Sequence, residues 1–244
     1  MSDLLSCKPF RLGPTYNTFS IVARCPRTRM LGIGIATSSI AVGARCIYAK
    51  AGVGAIATQA STDPRLGITG LRLLEIGFSA PKVLQELIAS DPFIARRQLS
   101  IVDKDGRTAC HTGADNRPWS GHSYGLDVGA AANMVVGAAV VQAMREGFEH
   151  TPDLPLEERL LQAIEAGHAA GGEADGEHSA ALLVVDREVF PRIDLRVDEH
   201  PTAVAELRRI YETYKPLTDY FEERAANPDI PSLEDKLRAQ QRLR

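Results

Sequence analysis

The sequence predicts an α+β fold in which helices cover antiparallel sheets, followed by a charged helical extension, and three observations predict it. β-rich runs come first and in hairpin pairs, central helical stretches follow and strands return, unlike the strict β-α-β alternation of a doubly wound sheet. All 20 glycines lie at or before Gly176, which places the tight turns and close packing in the first three quarters of the chain. Beyond them, Pro191–Arg244 carries ten Lys/Arg and eleven Asp/Glu in 54 residues, the composition of a solvated helical segment.

Residues 1–17 read as a leader without regular structure, because Pro9, Gly13 and Pro14 oppose helix and strand alike. Thr18–Ala23 and Met30–Ser38 are β-rich runs on either side of the turn-like Arg24–Arg29 and read as a hairpin. Val53–Ala60 is a third buried strand. Ser79 as a cap and Pro81 in the first turn open a helix to Ser90, with apolar residues at Val83, Leu84, Leu87 and Ile88. Leu99–Val102 and Thr108–Thr112 are strands joined through the tight turn Asp105-Gly106. Met134–Phe148 and Leu156–Ala170 read as helices, and Ser179–Asp186 as a strand. From Pro201 to Tyr220 the residues Val204, Leu207, Ile210, Tyr211, Tyr214 and Leu217 recur at spacings of three and four, an amphipathic helix bent at Pro216, with a second break around Asn227–Pro231. The expected organisation is a leader (1–17), an α/β body (18–198) and a charged helical extension (199–244).

With 44% apolar and 24% charged residues the chain can bury a sizeable core. Its formal net charge of −3 is too near balance to advertise a nucleic-acid partner. There is no run of about 18 apolar residues and no charged, then continuously apolar N-terminus. No membrane span and no secretory signal are expected, and the protein reads as soluble and cytoplasmic. Cys7, Cys25, Cys46 and Cys110 contain no CxxC pair and read as reduced thiols. The six histidines form neither HExxH nor HxH spacing, and Gly32-Ile33-Gly34 lacks the third glycine of a dinucleotide loop, so it reads as close packing of strand against helix. Neither metal nor cofactor is expected.

Thr18 stands out because it heads the first strand of the body directly after the leader. A threonine hydroxyl alone attacks poorly. Once the chain is cut before it, the freed α-amine, with an unperturbed pKa of about 7.7–8.0, can take the hydroxyl proton as its own general base. The other reading of the same residue is an ordinary strand threonine chosen for β-propensity.

Read in order, TFSIVAR, ATSSIAVGARC, AGVGAIATQASTDPRLG, RQLSIVDKDGRTACHTG, the WSGHSYG around Trp119, Asn133-Met134 and GGEADGEHSAALLVV make this sequence resemble the family catalogued as domain of unknown function 1028, which looks like a branch of the Ntn (N-terminal nucleophile) hydrolases. The resemblance covers roughly residues 18–201. It implies a four-layer αββα sandwich, a nucleophile that is the first residue of the mature chain, and a scissile carbon–nitrogen bond of amide type. Family members commonly begin Met-Thr; Thr18 occupies that position, with 17 residues ahead of it. Where the family usually reads QGNM, this sequence has Ala131-Ala132-Asn133-Met134. Where it usually reads GGDxRGxQSA, this one has Gly171-Gly172-Glu173, Asp175 and His178 before Ser179. These changes alter substrate preference if the positions line a pocket and are neutral if they are surface turns.

Beyond Thr18, Asn133 is a candidate donor to an oxyanion, or else a helix cap. Ser38, Ser39, Gln59, Asp63 and Arg65 are polar groups leaving buried strands, where site residues gather, although Asp63-Pro64-Arg65 also reads as a turn with its own salt bridge. With His111 and His178 they make up the candidate substrate-binding set. Arg45 or Lys50 is a candidate cation beside Thr18. The leading expectation is an amidohydrolase that cleaves a small amide or ureide through a Thr18 acyl-enzyme. The alternatives are a non-catalytic binding or assembly protein that keeps its leader, and a metal-dependent hydrolase using His111, His122 and His178. The apolar stripe of the extension packs either on its own body or across a homodimer.

Overall fold

The computed structural model describes residues 17–242. Residues 1–16 of the leader, with Cys7, Pro9, Gly13 and Pro14, lie outside the described residues. A six-stranded antiparallel sheet contains β1 (Thr18–Arg24), β2 (Leu31–Thr37), β7 (Ser120–Gly125), β8 (Val128–Asn133), β9 (Ser179–Val185) and β10 (Ile193–Val197), in the order β10-β9-β2-β1-β8-β7. A four-stranded antiparallel sheet contains β3 (Ile47–Lys50), β4 (Gly54–Ala60), β5 (Arg97–Asp103) and β6 (Thr108–Thr112), in that order.

The period-two alternation of β1 sorts its residues between two cores. Phe19, Ile21 and Ala23 pack under α4 (Ala139–Glu149) and α5 (Leu156–Ala169), whereas Val22 joins Leu31, Ile33 and Ile35 of β2 against Ala55, Ala57 and Val102 of the smaller sheet. Because both faces are covered, these strands read as continuous apolar runs, the reason they are legible in sequence. The smaller sheet places Ile56, Leu99 and Ile101 against Leu66 and Leu74 of α2 (Pro64–Glu75) and against Val83, Leu84 and Leu87 of α3 (Ala80–Ser90). Gly32 and Gly34 lie directly beneath α5. A β-carbon on Gly32 would stand 2.6 Å from Leu160 Cδ1 and 2.9 Å from the Leu183 carbonyl, and one on Gly34 2.8 Å from Ile164.

Several elements depart from the sequence reading. Asp63-Pro64 opens a helix, α2, with the Asp63 carboxylate accepting the Arg65 amide and proline in the first turn. The helix expected from Met134 begins only at Ala139; Val128–Asn133 is strand β8, and Met134 follows it with φ 56°. A run of Ala, Val and Gly has no period that separates a fully buried strand from a helix. Four further elements were not expected: the four-residue helix α1 (Val42–Arg45), the short strand β3, the half-exposed edge strand β7, and β10, whose Ile193, Leu195 and Val197 alternate with exposed Asp194 and Arg196.

After the sheet, α6 (Ala203–Tyr214) lays Val204, Leu207 and Tyr211 into the same core as α4 and α5. The apolar stripe thus covers its own body. A short 3-10 turn at Lys215–Leu217 marks the expected break at Pro216, leading to α7 (Thr218–Ala226), and α8 (Leu233–Arg242) follows the second break. Among the described residues no helix is long and apolar enough to cross a membrane.

Candidate functional site

The register of the larger sheet lines up one polar residue from each of five strands. Ser179 faces Thr37, Thr37 faces Thr18, Thr18 faces Asn133 and Asn133 faces Ser120. Thr18 sits at the centre of this row and is 4% exposed. Its Oγ1 donates to the carbonyl oxygen of Asn17 at 2.6 Å, and Thr37 Oγ1 donates to the same oxygen. The two hydroxyl oxygens are 3.2 Å apart. The peptide carbonyl before Thr18 is therefore held against the Thr18 hydroxyl with a second hydroxyl on its oxygen.

Behind Thr18 three buried amides bridge the two sheets. Gln59 Nε2 of β4 donates to Gln98 Oε1 of β5 at 2.6 Å, to Ala131 O at 3.3 Å and to Thr18 O at 3.5 Å. Ser20 Oγ donates to Gln59 Oε1 at 2.6 Å. Asn133 Nδ2 donates to Gln98 Oε1 at 3.1 Å and to Thr18 O at 3.4 Å. Gln98 Nε2 closes the network on Ala132 O, Gly121 O and Thr112 Oγ1 at 2.8–3.0 Å. Every amide has partners, so its burial is compensated, and the Thr18 main chain is clamped from two directions. Gln98 was not singled out in the sequence; its only signal is an amide near the start of a buried strand.

In front of Thr18 lies a cavity of about 270 Å³ whose wall includes Thr37, Ser39, Arg45, Gln59 and Arg97. Among the described residues no Asp or Glu contributes to its lining. Burial pushes the Cys46 thiol on this wall up to about 11, which keeps it protonated at neutral pH and removes it as a rival nucleophile. Ala41 (φ 57°) and Ala60 (φ 66°), also on the wall, hold left-handed backbone that L-residues rarely adopt. Arg97 is anchored by Asp91 at 2.9 Å, by Asp63 at 3.7 Å and by the Ser61 carbonyl. Arg45 has no ion-pair or hydrogen-bond partner for its guanidinium among the described residues.

Of the candidates read from sequence, Thr18, Ser39 and Gln59 meet at this cavity. Asn133 does not reach its wall: its amide is engaged with Gln98 and the Thr18 carbonyl. Ser38 lies beside it, donating its amide to Glu173 Oε2 at 2.7 Å. Asp63 binds the guanidinium of Arg65 at 2.7 Å, and the Arg65 side chain, 86% exposed, faces outward. His111 contacts the Ile94 carbonyl at 3.2 Å, while His178 gives its amide to Thr37 O at 2.8 Å with its ring 3.6 Å from Glu199. His122 shares a 2.8 Å hydrogen bond with Thr112 on the β6–β7 side. His178 is thus across β1 from the other two, and among the described residues no three His, Cys, Asp or Glu side chains gather as metal ligands. Lys50 pairs with Glu75, away from the cavity wall.

The sequence reading did not single out Glu173 as a site residue. It lies in the loop Gly171–His178, where Gly171, Gly172 and Gly176 all have positive φ. It is buried, with Oε2 on the Ser38 amide and Oε1 unpartnered. Burial holds its carboxyl well above the usual carboxylate range, opposed by the hydrogen bond from Ser38 and reinforced by the nearby Glu177. Glu177 accepts the Glu173 amide at 3.0 Å and meets His168 Nδ1 at 2.6 Å.

Comparison with known proteins places this architecture. The crystal structure of protein SPO2555 from Silicibacter pomeroyi, itself assigned to DUF1028, is 32% identical, with a TM-score of 0.75 over 81% of this chain and 89% of that one. Anbu (ancestral beta-subunit) from Yersinia bercovieri aligns over 88% of this chain and 99% of that one, at 11% identity and a TM-score of 0.40. No curated protein matches the chain. The model of the family of unknown function DUF1028 matches residues 18–207, beginning at Thr18 itself, and the chain belongs to that family.

Proposed function

We propose that the protein is an Ntn-type amidohydrolase: its two sheets and covering helices form a four-layer αββα sandwich, and Thr18, freed from residues 1–17, cleaves a small amide or ureide. The observation that carries this reading is the Asn17 carbonyl oxygen, which accepts from both Thr18 Oγ1 and Thr37 Oγ1. In the maturation step the Thr18 oxygen attacks the Asn17 carbonyl carbon and Thr37 donates to the developing oxyanion. The hydroxyl proton passes to the departing nitrogen as the C–N bond breaks, leaving an ester on Thr18 and a free α-amine, and water hydrolyses the ester to release the leader. In turnover the α-amine takes the hydroxyl proton as Thr18 attacks the substrate carbonyl. That proton passes to the departing nitrogen, and water resolves the acyl-enzyme. Gln59 and Asn133 act as positioning residues that fix the Thr18 main chain.

Intact-mass measurement tests the reading. With 26.4 kDa over 244 residues, loss of residues 1–17 lowers the mass by about 1.8 kDa and exposes the threonine amine that the mechanism requires. Thr18→Ala is expected to abolish hydrolysis across an amide and ureide panel and, where cleavage is autocatalytic, to leave the leader attached. Thr37→Val is expected to slow maturation and turnover by about 10²–10³-fold, the usual cost of losing one oxyanion donor. A preparation that hydrolyses substrate while only the full-length mass is present rejects Thr18 as the nucleophile. Full-length mass without hydrolysis favours a binding protein that keeps its leader.

A further inference from the structure

The charge on the cavity wall narrows the substrate. Arg45 and Arg97 line it, and among the described residues no carboxylate does. Their situations differ. Arg97 is saturated by Asp91, Asp63 and the Ser61 carbonyl, so it contributes shape and a neutralised pair. Arg45 closes the four-residue helix α1, which is anchored at its start by Val42 N donating to Ser179 Oγ at 3.1 Å and by Ala41 N donating to Asp198 O at 2.9 Å. Arg45 is exposed, and its guanidinium has no carboxylate partner among the described residues. The wall also includes the apolar Ile40, Val42 and Ala60.

We propose that the cavity takes a small amide or ureide bearing a carboxylate, and that Arg45 binds that carboxylate while the scissile carbonyl lies at Thr18. The proposal rests on the reading of Thr18 as the nucleophile for its orientation, and on the lining alone for its charge. A volume of about 270 Å³ holds a molecule of about a dozen non-hydrogen atoms, which suits an N-acyl or N-carbamoyl amino acid. A guanidinium offers a carboxylate two parallel N–H donors, whereas a cationic substrate would meet the like charge of Arg45.

Calorimetric titration of the chain carrying Thr18→Ala, its residues 1–17 released at a protease site placed before residue 18, tests the charge without turnover. The probes are N-carbamoylglycine and N-acetylglycine, each against its own primary amide. Each acid is expected to bind about 10- to 100-fold more tightly than its amide. That margin should shrink as salt is raised, because the pair lies at an open mouth. Arg45→Gln is expected to erase it and Arg45→Lys to keep part of it. Equal affinities, binding of neither acid, or a preference that survives Arg45→Gln overturns the proposal. The two readings fail separately. Hydrolysis that persists in Thr18→Ala strikes the nucleophile and leaves the carboxylate preference standing, whereas Thr18-dependent hydrolysis that ignores substrate charge strikes Arg45 alone.

Discussion

Glu173 shows what a single buried carboxyl does to pH dependence. Its proton is held more tightly in the folded chain than in the unfolded one, whose ordinary glutamate value is 4.5. Folding therefore draws full benefit from it below that value and loses stability as pH rises from there toward the folded value. Glu173→Gln keeps an acceptor for the Ser38 amide and never ionises. The variant should match wild type near about pH 4 and melt at a higher temperature near about pH 8, and a difference that stays flat across a pH series of thermal melts would refute this account. Glu173→Ala instead leaves the buried Ser38 amide without its partner and should destabilise by about 1–3 kcal/mol near about pH 4, a cost that shrinks toward about pH 8 as the wild type loses stability. Thr18 was legible as a site residue because it combines a nucleophilic group with a place at the head of a strand. Glu173 was not, because nothing in a glycine-rich loop signals that one of its acids folds inward; only the distant Ser38 amide makes that so.

At the scale of elements, sequence spoke clearly where both faces of a strand are covered or where a helix presents one apolar stripe. It spoke poorly where an element is short or lies at an edge. β7 displays His122, Ser123 and Tyr124 to solvent and owes its place to pairing with β8, a non-local cause invisible in its own residues. β10 carries a readable alternation, and α2 a readable cap in Asp63-Pro64, a run that also reads as a turn. Gln59 and Asn133 are legible one by one as polar groups near strand ends and Gln98 is not, while their network depends on the register of two stacked sheets. The packing of α5 on β2 gives a direct test. At Gly34 a side chain meets Ile164 and the Leu160 carbonyl, 3.2 Å from a β-carbon, and helix backbone cannot move aside as a flexible side chain can. Gly34→Val should lower stability by about 1–3 kcal/mol or more, read as an earlier midpoint in urea.

Across the whole molecule, the charged segment after the body is structurally part of it. Val204, Leu207 and Tyr211 of α6 are buried in the core shared by α4, α5 and the larger sheet, and the DUF1028 match itself runs into α6, to residue 207. Burying a side chain of this size contributes about 1.5–3 kcal/mol, and a domain has only about 5–15 kcal/mol in hand. Truncation after Asp198 should therefore give an unfolded or aggregating product by circular dichroism and size exclusion. A cooperatively melting, folded 1–198 chain would show that α6 is dispensable. Sequence composition separated this segment by charge and by its lack of glycine, and its stripe predicted a covered face. Which surface covers it is fixed by the path of the chain after β10, which no local pattern encodes.

Ala41 and Ala60 hold left-handed backbone on the cavity wall, a conformation that costs an L-residue about 1–2 kcal/mol and glycine almost nothing. A laboratory population bred for heat resistance would meet glycine at these two positions as an easy early gain, since the backbone is already shaped for it. The same exchange removes two methyl groups from the rim beside Thr18 and lets the loop that carries Arg45 wander. Thermal selection and catalytic selection would thus pull this chain in opposite directions at the same two codons, and lineages kept at higher temperature should show that conflict there first.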